Sequence, residues 1–286
     1  MADVIAVRRT MQMRRVRSGV SVFLTALCAG SAAAALLLIL GYVVHAGIAS
    51  IGLPFLTQVP HPVGIPGGGV ANAIVGTGIT VAISVVMATP LGVLTGVYLA
   101  IYGRGAAASS IRFLSDVLAG VPSIAIGLFA YVVLVAPFKH FSAISGAFAF
   151  AVLMLPVIIR TTEEAIRSVP IAIREGALAL GLPIYATTLR VVIPAARAAI
   201  ITGLLLSIAR VTGETAPLLF TAFGSQFWEF NPANPMAQLP LQIFNYAISP
   251  YPEWHQQAWG GALILIVVVL FLNILARAAL RSRASR

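Results

Sequence analysis

The stretch "REGALALGLPIYATTLRVVIPAA", residues 174–196, stands between two long apolar runs and belongs to neither. Arg174, Glu175 and Arg190 make it too polar to enter lipid, and Gly181, Pro183 and Pro194 punctuate it too heavily for a plain linker. Ser168 suits an N-cap, and Pro170 suits the first helical position, where its missing N–H costs nothing. Gly181 suits a left-handed residue just past a helix end, with Pro183 beyond it. The spacing predicts a helix of roughly eleven residues, ~16 Å long. A second short helix follows from Pro183 through Arg190, before Pro194 leads back into the membrane. Such a helix–turn–helix, projecting from a membrane face, is an element made to be touched.

The rest of the chain supplies the membrane. Of 286 residues 59% are hydrophobic and only 9% are charged, against roughly 25% charged in soluble domains. No Lys, Arg, Asp or Glu occurs between Arg17 and Arg104. A span needs about 20 apolar residues, and backbone groups in lipid must satisfy one another, so the runs are helices. Six are expected, over 20–44, 70–102 (with Pro90 inside), 113–136, 144–159, 195–220 and 258–276. Between them lie a Pro/Gly-rich segment over 51–69 read as non-helical, a short basic loop over 102–112, a tight turn at "PFKH" (137–140), and a polar, aromatic loop reaching Gln257. The first run has a basic flank and "SAAAA" at 31–35, as a cleaved signal does. Its apolar length exceeds the about 7–15 residues of a signal, so it is read as a retained span. The expected organisation is a tail over 1–19, the first span and outer loop over 20–69, a transmembrane domain over 70–276 that contains the segment 168–194, and a tail over 277–286.

Charge gives the orientation. Fifteen of the 18 Lys and Arg fall in the termini, the loop between the second and third spans, or the segment between the fourth and fifth, and Arg197 stands at the near end of the fifth span. Lys139 lies on the opposite side and Arg210 lies inside a span. Basic residues collect on the cytoplasmic side, so both termini are expected there. The same pattern accounts for the net charge of +10 without any nucleic-acid surface. Cys28 is the single cysteine, which excludes a disulfide framework within the chain. His45, His61, His140 and His255 are scattered, so no metal site is expected. "GTG" at 76–78 lacks the third glycine and the preceding strand of a dinucleotide fingerprint. Lys139 is the one lysine and sits in no G-x-x-x-x-G-K-[ST] pattern, so any ATP, with its magnesium, belongs to a partner. No cofactor is expected on this chain.

Glu175, Gly176, Ala177, Gly181, Val191, Ile193 and Pro194 fall at the spacings E-A-A-x3-G-x9-I-x-L-P, departing at Gly176, Val191 and Ile193 by small or aliphatic exchanges. The pattern resembles the cytoplasmic signature of integral subunits of binding-protein-dependent ABC importers. "GGGVANAIVGTGITV" (67–81), "FLSDVLAGVPSIAIGLFAY" (113–131), "LPVIIRTTEEA" (155–165) and "ARVTGETAPLLFTAFG" (209–224) narrow the resemblance to phosphate importer permeases of the PstA type. The likeness covers about three-quarters of the chain and excludes the first span and the tail. It implies an all-α integral membrane protein of six transmembrane helices, with the type I, MetI-like permease fold and cytoplasmic coupling helices. It also implies four kinds of partner: a second homologous permease, two copies of an ABC ATPase, an extracytoplasmic phosphate-binding protein and the bilayer. Arg174, Glu175, Gly176, Ala177, Gly181 and Pro194 would then form the coupling segment. The chain itself would hydrolyse nothing.

For the substrate pathway the candidates are Arg210, Glu214 and Arg160. A charge at the bilayer centre costs about 2.5–3.5 kcal/mol on insertion scales, so it needs a reason. Arg210 and Glu214 are four apart and share a helix face. The guanidinium fork suits phosphate oxygens, and Glu214 would balance it in an empty site. The alternative is an ion pair that fixes packing or the heterodimer interface. Arg160 is read either as lining the inner mouth or as snorkelling to headgroups. Glu163–Arg167 and Arg112–Asp116 are expected as exposed bridges within one helix. Phe223, Phe227, Trp228, Phe230, Trp254 and Trp259 are read either as a docking surface for the binding protein or as an interfacial belt. Two further readings stay open: a permease for sulfate, molybdate or phosphonate, and an ion-coupled secondary carrier.

Overall fold

The computed structural model describes residues 2–62, 65 and 67–281, and every named element within them is helical. Residues 282–286 of the expected tail lie outside the described residues. Among the described residues five helices are long and apolar enough to cross a membrane, and a bent pair makes a sixth if taken as one span. The first, α1 (Ala2–Gly47), has an apolar window with nothing buried inside the chain. The segment expected to be non-helical holds a single turn, α2 (Leu53–Thr57), opened by Pro54, whose missing N–H is one the first turn leaves unpaired anyway.

The centre of the fold is a parallel pair, α3 (Ala71–Ile101) and α7 (Ala143–Arg167). Gly76, Thr80, Ser84, Ala88, Gly92 and Gly96 recur every fourth residue on α3, and all six are buried. A Cβ on Gly92 would lie 2.7 Å from Ile158, and one on Gly96 would lie 2.8 Å from the carbonyl oxygen of Ile159. Only small residues allow backbones this close, and the close approach is what drives helix pairing in lipid. Phe150, Met154 and Ile158 of α7 fill the main core beside this stripe.

Several expectations are corrected. The loop after α3 is short, because α4 (Ala106–Gly120) starts straight after Gly105 and takes in Arg112. The third apolar run is no straight span. α4 and α5 (Ser123–Ala130) meet at 104°, because Pro122 has no N–H to continue the ladder and holds Val121 in extended backbone. A wide turn over Tyr131–Val135 and α6 (Ala136–Phe138) lead to Lys139, whose φ of 52° makes the expected tight turn. α7 runs on past Ile159 to Arg167 because its charged last turns find partners. Ser168 ends α7, with its hydroxyl donating to the Ala165 carbonyl, and does not cap the next helix. That helix, α8 (Ile171–Ala179), is nine residues long with Pro170 as its N-cap.

Pro194 separates nothing. From α9 (Ile184–Thr187) the chain stays helical through a wide turn over Thr188–Val192 into α10 (Ile193–Thr212). The wide turn just ahead of Pro194 accommodates the ring that an ordinary turn would crowd. The fifth run breaks in its turn at 213–215, and α11 (Ala216–Thr221) continues it. The expected outer loop folds inward. Met236–Leu239 is buried against α3, and α12 (Leu239–Ala247) leads to α13 (Pro252–Arg281), which starts six residues before the expected span.

Candidate functional site

Contacts set the depth of each charged residue. Gly203 of α10 packs on Thr161 of α7, where an added Cβ would collide. Arg210 follows seven residues later on nearly the same stripe, about 10 Å up the helix, which places it level with the middle of α7. It lies in the last turn of α10, just before the break. Its Nε is 3.9 Å from Glu214 Oε1, and the two side chains are 51% and 23% exposed. At that distance Glu214 offsets the charge loosely and does not clamp it. Gly127 of α5 packs on Pro217 of α11, so the α4–α5 and α10–α11 breaks lie within about one helical turn of each other in depth. Irregular backbone at membrane depth is tolerated where protein or a water-filled passage covers it, and so are charges. Two helix breaks and an accessible guanidinium therefore lie at a similar level along the bundle.

Nearer the α8 face, the charges pair differently from the expectation. Asp116 pairs across helices with Arg160 and not with Arg112: Arg160 Nη1 lies 2.8 Å from Asp116 Oδ1 and Nε lies 3.2 Å from Glu164 Oε1. Glu163 is no exposed bridge. Its side chain is 7% exposed and takes both Arg112 Nε at 2.9 Å and Arg167 Nη2 at 2.6 Å. Arg112 also donates to the carbonyls of Leu99 and Gly103 at the end of α3, where helix carbonyls favour a cation. Two carboxylates thus hold Arg160.

The structure gathers Arg174, Glu175, Gly176 and Ala177 on α8. Gly181 follows with φ +85°. Its amide donates to Leu178 and that of Leu182 to Ala177, the paired bonds that close a helix on a left-handed residue. An added Cβ at Gly176 meets nothing within 4 Å, so that departure from the motif is sterically neutral. Leu180, at the tip, is 85% exposed, and Ile171, Tyr185 and Leu189 are exposed around it. A cavity of 190 Å³ between Ile101, Ile166, Arg167, Arg174 and Val192 separates α8 from the ends of α3 and α7. Pro194 sits apart, in the first turn of α10.

On the opposite face the aromatics divide. Trp254 stacks on Tyr246, and Trp259 meets Tyr42 of α1 edge-on, so both serve packing. Phe223, Phe227 and Phe230 remain exposed, the last stacked on Trp228. Between them Glu229 accepts from the amides of Phe230 and Asn231 and from Asn234 Nδ2, and these bonds hold its carboxyl below the usual glutamate range. The turn so fixed offers the Pro232 and Asn234 carbonyls to the amides of Ile144 and Ala143 that open α7. Sequence reasoning passed over Asp116 and Glu163 as binding elements. Each stood four residues from an Arg, the only signal available, and that signal named the wrong partner or the wrong environment.

The description "Binding-protein-dependent transport system inner membrane component" matches residues 92–284. The phosphate transport system permease protein PstA of Yersinia pestis is 45% identical over 243 residues, 85% of this chain and 82% of that one. The protein of the same name from Pasteurella multocida is 46% identical over 233 residues, covering 81% and 82%. Phosphate transport system permease protein PstA 1 of Mycobacterium tuberculosis is 43% identical over 222 residues, covering 77% and 71%. Among solved structures, an inward-facing MetNI methionine ABC transporter chain superposes with a TM-score of 0.58 at 16% identity, covering 75% of this chain and 94% of that one. A chain of an amino acid ABC transporter follows at 0.51 and 20%, covering 73% and 92%. At these identities the two structures support the fold alone.

Proposed function

The chain belongs to the binding-protein-dependent transport system inner membrane components, among the PstA-type permeases, and from this premise we propose that it is the permease subunit of an ATP-driven importer of inorganic phosphate. It forms the pathway with a second permease, takes substrate from an extracytoplasmic binding protein, and engages an ATPase dimer through the segment 168–194. The α8 face and both termini are cytoplasmic. ATP and magnesium stay on the ATPase, since no P-loop pattern occurs in the chain. The observation that carries the reading is Arg210: a half-exposed guanidinium near mid-depth, level with two helix breaks, with a counter-charge 3.9 Å away that can yield to an oxyanion. A fork of N–H donors matches phosphate oxygens two at a time. Arg160 lies about 10 Å nearer the α8 face by helical rise and forms a second step.

Uptake of labelled phosphate into a strain lacking its own importer, complemented with this chain and its partners, tests the reading. Phosphate uptake above that of the empty strain supports it. Uptake of sulfate, molybdate or a phosphonate instead keeps the permease and replaces the cargo. Impermeant thiol labelling of Arg174→Cys in intact cells would overturn the orientation.

A further inference from the structure

Resting on that reading, we propose that Asp116 is the resident competitor of the transported anion, its carboxylate and the passing oxyanion taking turns on the guanidinium of Arg160. Arg160 is held by Asp116 at 2.8 Å and by Glu164 at 3.2 Å. Each of the two forked edges of the guanidinium, Nη1/Nη2 and Nε/Nη2, therefore carries one carboxylate, and an oxyanion that takes two donors at once competes with Asp116 or with Glu164. All three side chains are more than half exposed, and Arg160 directly follows the apolar stretch of α7 that ends at Ile159. A cluster of charges at that edge faces the inner mouth of the passage or the second permease, since charges are costly against lipid.

The two acids differ in what their release would do. Glu164 is on the same helix as Arg160 and moves with it. Asp116 lies 44 residues away in sequence, on α4, four residues before that helix ends at the 104° break. Exchange at Asp116 thus frees one helix from another with no change in the number of anions on Arg160. One turn earlier on α4, Arg112 is fixed by Glu163 and by two carbonyls of the α3 end. Glu163 is buried and shared between two arginines, so this second junction is not open to exchange. Arg112 acts as the fixed point of α4 and Asp116 as its clasp. An oxyanion on Arg160 opens the clasp and lets the broken helix turn about the Arg112 end.

The test uses the complete complex of permeases and ATPase in proteoliposomes, without binding protein, and reads the ATPase rate and the yield of complex. Asp116→Asn should raise the basal rate about two- to fivefold, the population shift expected from losing one solvent-facing ion pair. Millimolar inorganic phosphate on the α8 side should raise the unsubstituted complex towards the same rate and leave Asp116→Asn unmoved. Asp116→Glu, which keeps the charge, should restore the phosphate response. Equal responses in the unsubstituted and Asp116→Asn complexes, or none in either, would overturn the proposal. So would a low yield of Asp116→Asn complex that Arg160→Gln repairs, since that marks a purely structural pair. A response to sulfate but not to phosphate would support the exchange and overturn phosphate as the cargo.

Discussion

Glu163 Oε1 lies 2.9 Å from Arg112 Nε, 51 residues earlier in the chain, and this one carboxylate joins the middle of α4 to the ends of α3 and α7. Arg112 brings the last carbonyls of α3 to the junction, and Arg167 carries it to the final turn of α7, three residues before Pro170 caps α8. Glu163→Gln should therefore destabilise the chain by about 3 kcal/mol, the low end for breaking a buried pair, because Arg167 is half exposed and can turn to water. Thermal unfolding in detergent reads the loss. Arg112→Gln should cost a similar amount, and the double substitution less than the sum of the two. Strict additivity would remove the junction.

At mid-depth the expectation is functional loss without structural loss. Arg210→Gln should abolish uptake with the complex assembled, and Arg210→Lys should keep a fraction, since an ammonium retains charge but loses the fork. Glu214→Gln should be milder, because 3.9 Å marks a loose pair. The double Arg210→Gln/Glu214→Gln should assemble and stay inactive. Recovered uptake in that double would assign the pair to packing.

For α8 the measurement is phosphate carried per ATP. Gly181 holds φ +85°, a conformation costing about 1–2 kcal/mol for a residue with a Cβ and more for a β-branched one. Gly181→Val should loosen the paired bonds that close α8, lowering the ratio while ATPase still co-purifies. Glu175→Gln, on the same helix, should lower it without changing the fold. Normal uptake in Gly181→Val would remove the coupling role.

On the opposite face the readout is hydrogen exchange against pH. The bonds to Glu229 lower its folded pKa below its unfolded value, so the stabilisation is present above the unfolded value and is lost as pH falls through the folded one. The Ala143 and Ile144 amides, which depend on the carbonyls of that turn, should lose protection across this acid window. In Glu229→Gln their protection should be weaker at neutral pH and flat through the window. An unchanged profile in that variant would detach the turn from the start of α7.

Much of this was legible beforehand, and the failures have a common cause. Gly181 and Pro183 were readable because each acts through its own backbone. The small-residue stripe on α3 went unread, although its spacing of four needs no partner to be seen. Hydropathy carried the third run straight through Pro122, because it counts apolar atoms and is blind to φ and to missing N–H groups. The i,i+4 rule gave Asp116 to Arg112, because local spacing cannot know that α7 sets Arg160 2.8 Å away. Arg210 was found by the cost of its position. Asp116 fell inside the expected span 113–136, where the same cost applies, but the assumed bridge to Arg112 absorbed that signal.

The stripe on α3 also bears on how the chain is made. α3 enters the bilayer some seventy residues of synthesis before α7 exists to meet it. Its hydroxyls can wait: that of Thr77 bonds back to the Ala73 carbonyl and that of Ser84 to Val81, within the same helix. A lone α3 therefore carries these two hydroxyls into lipid already paired, while its row of small residues stays open as a seam. When α7 arrives, running in the same direction, the seam can close from Ser84 to Gly96, while Gly76 and Thr80 wait for the segment Met236–Leu239.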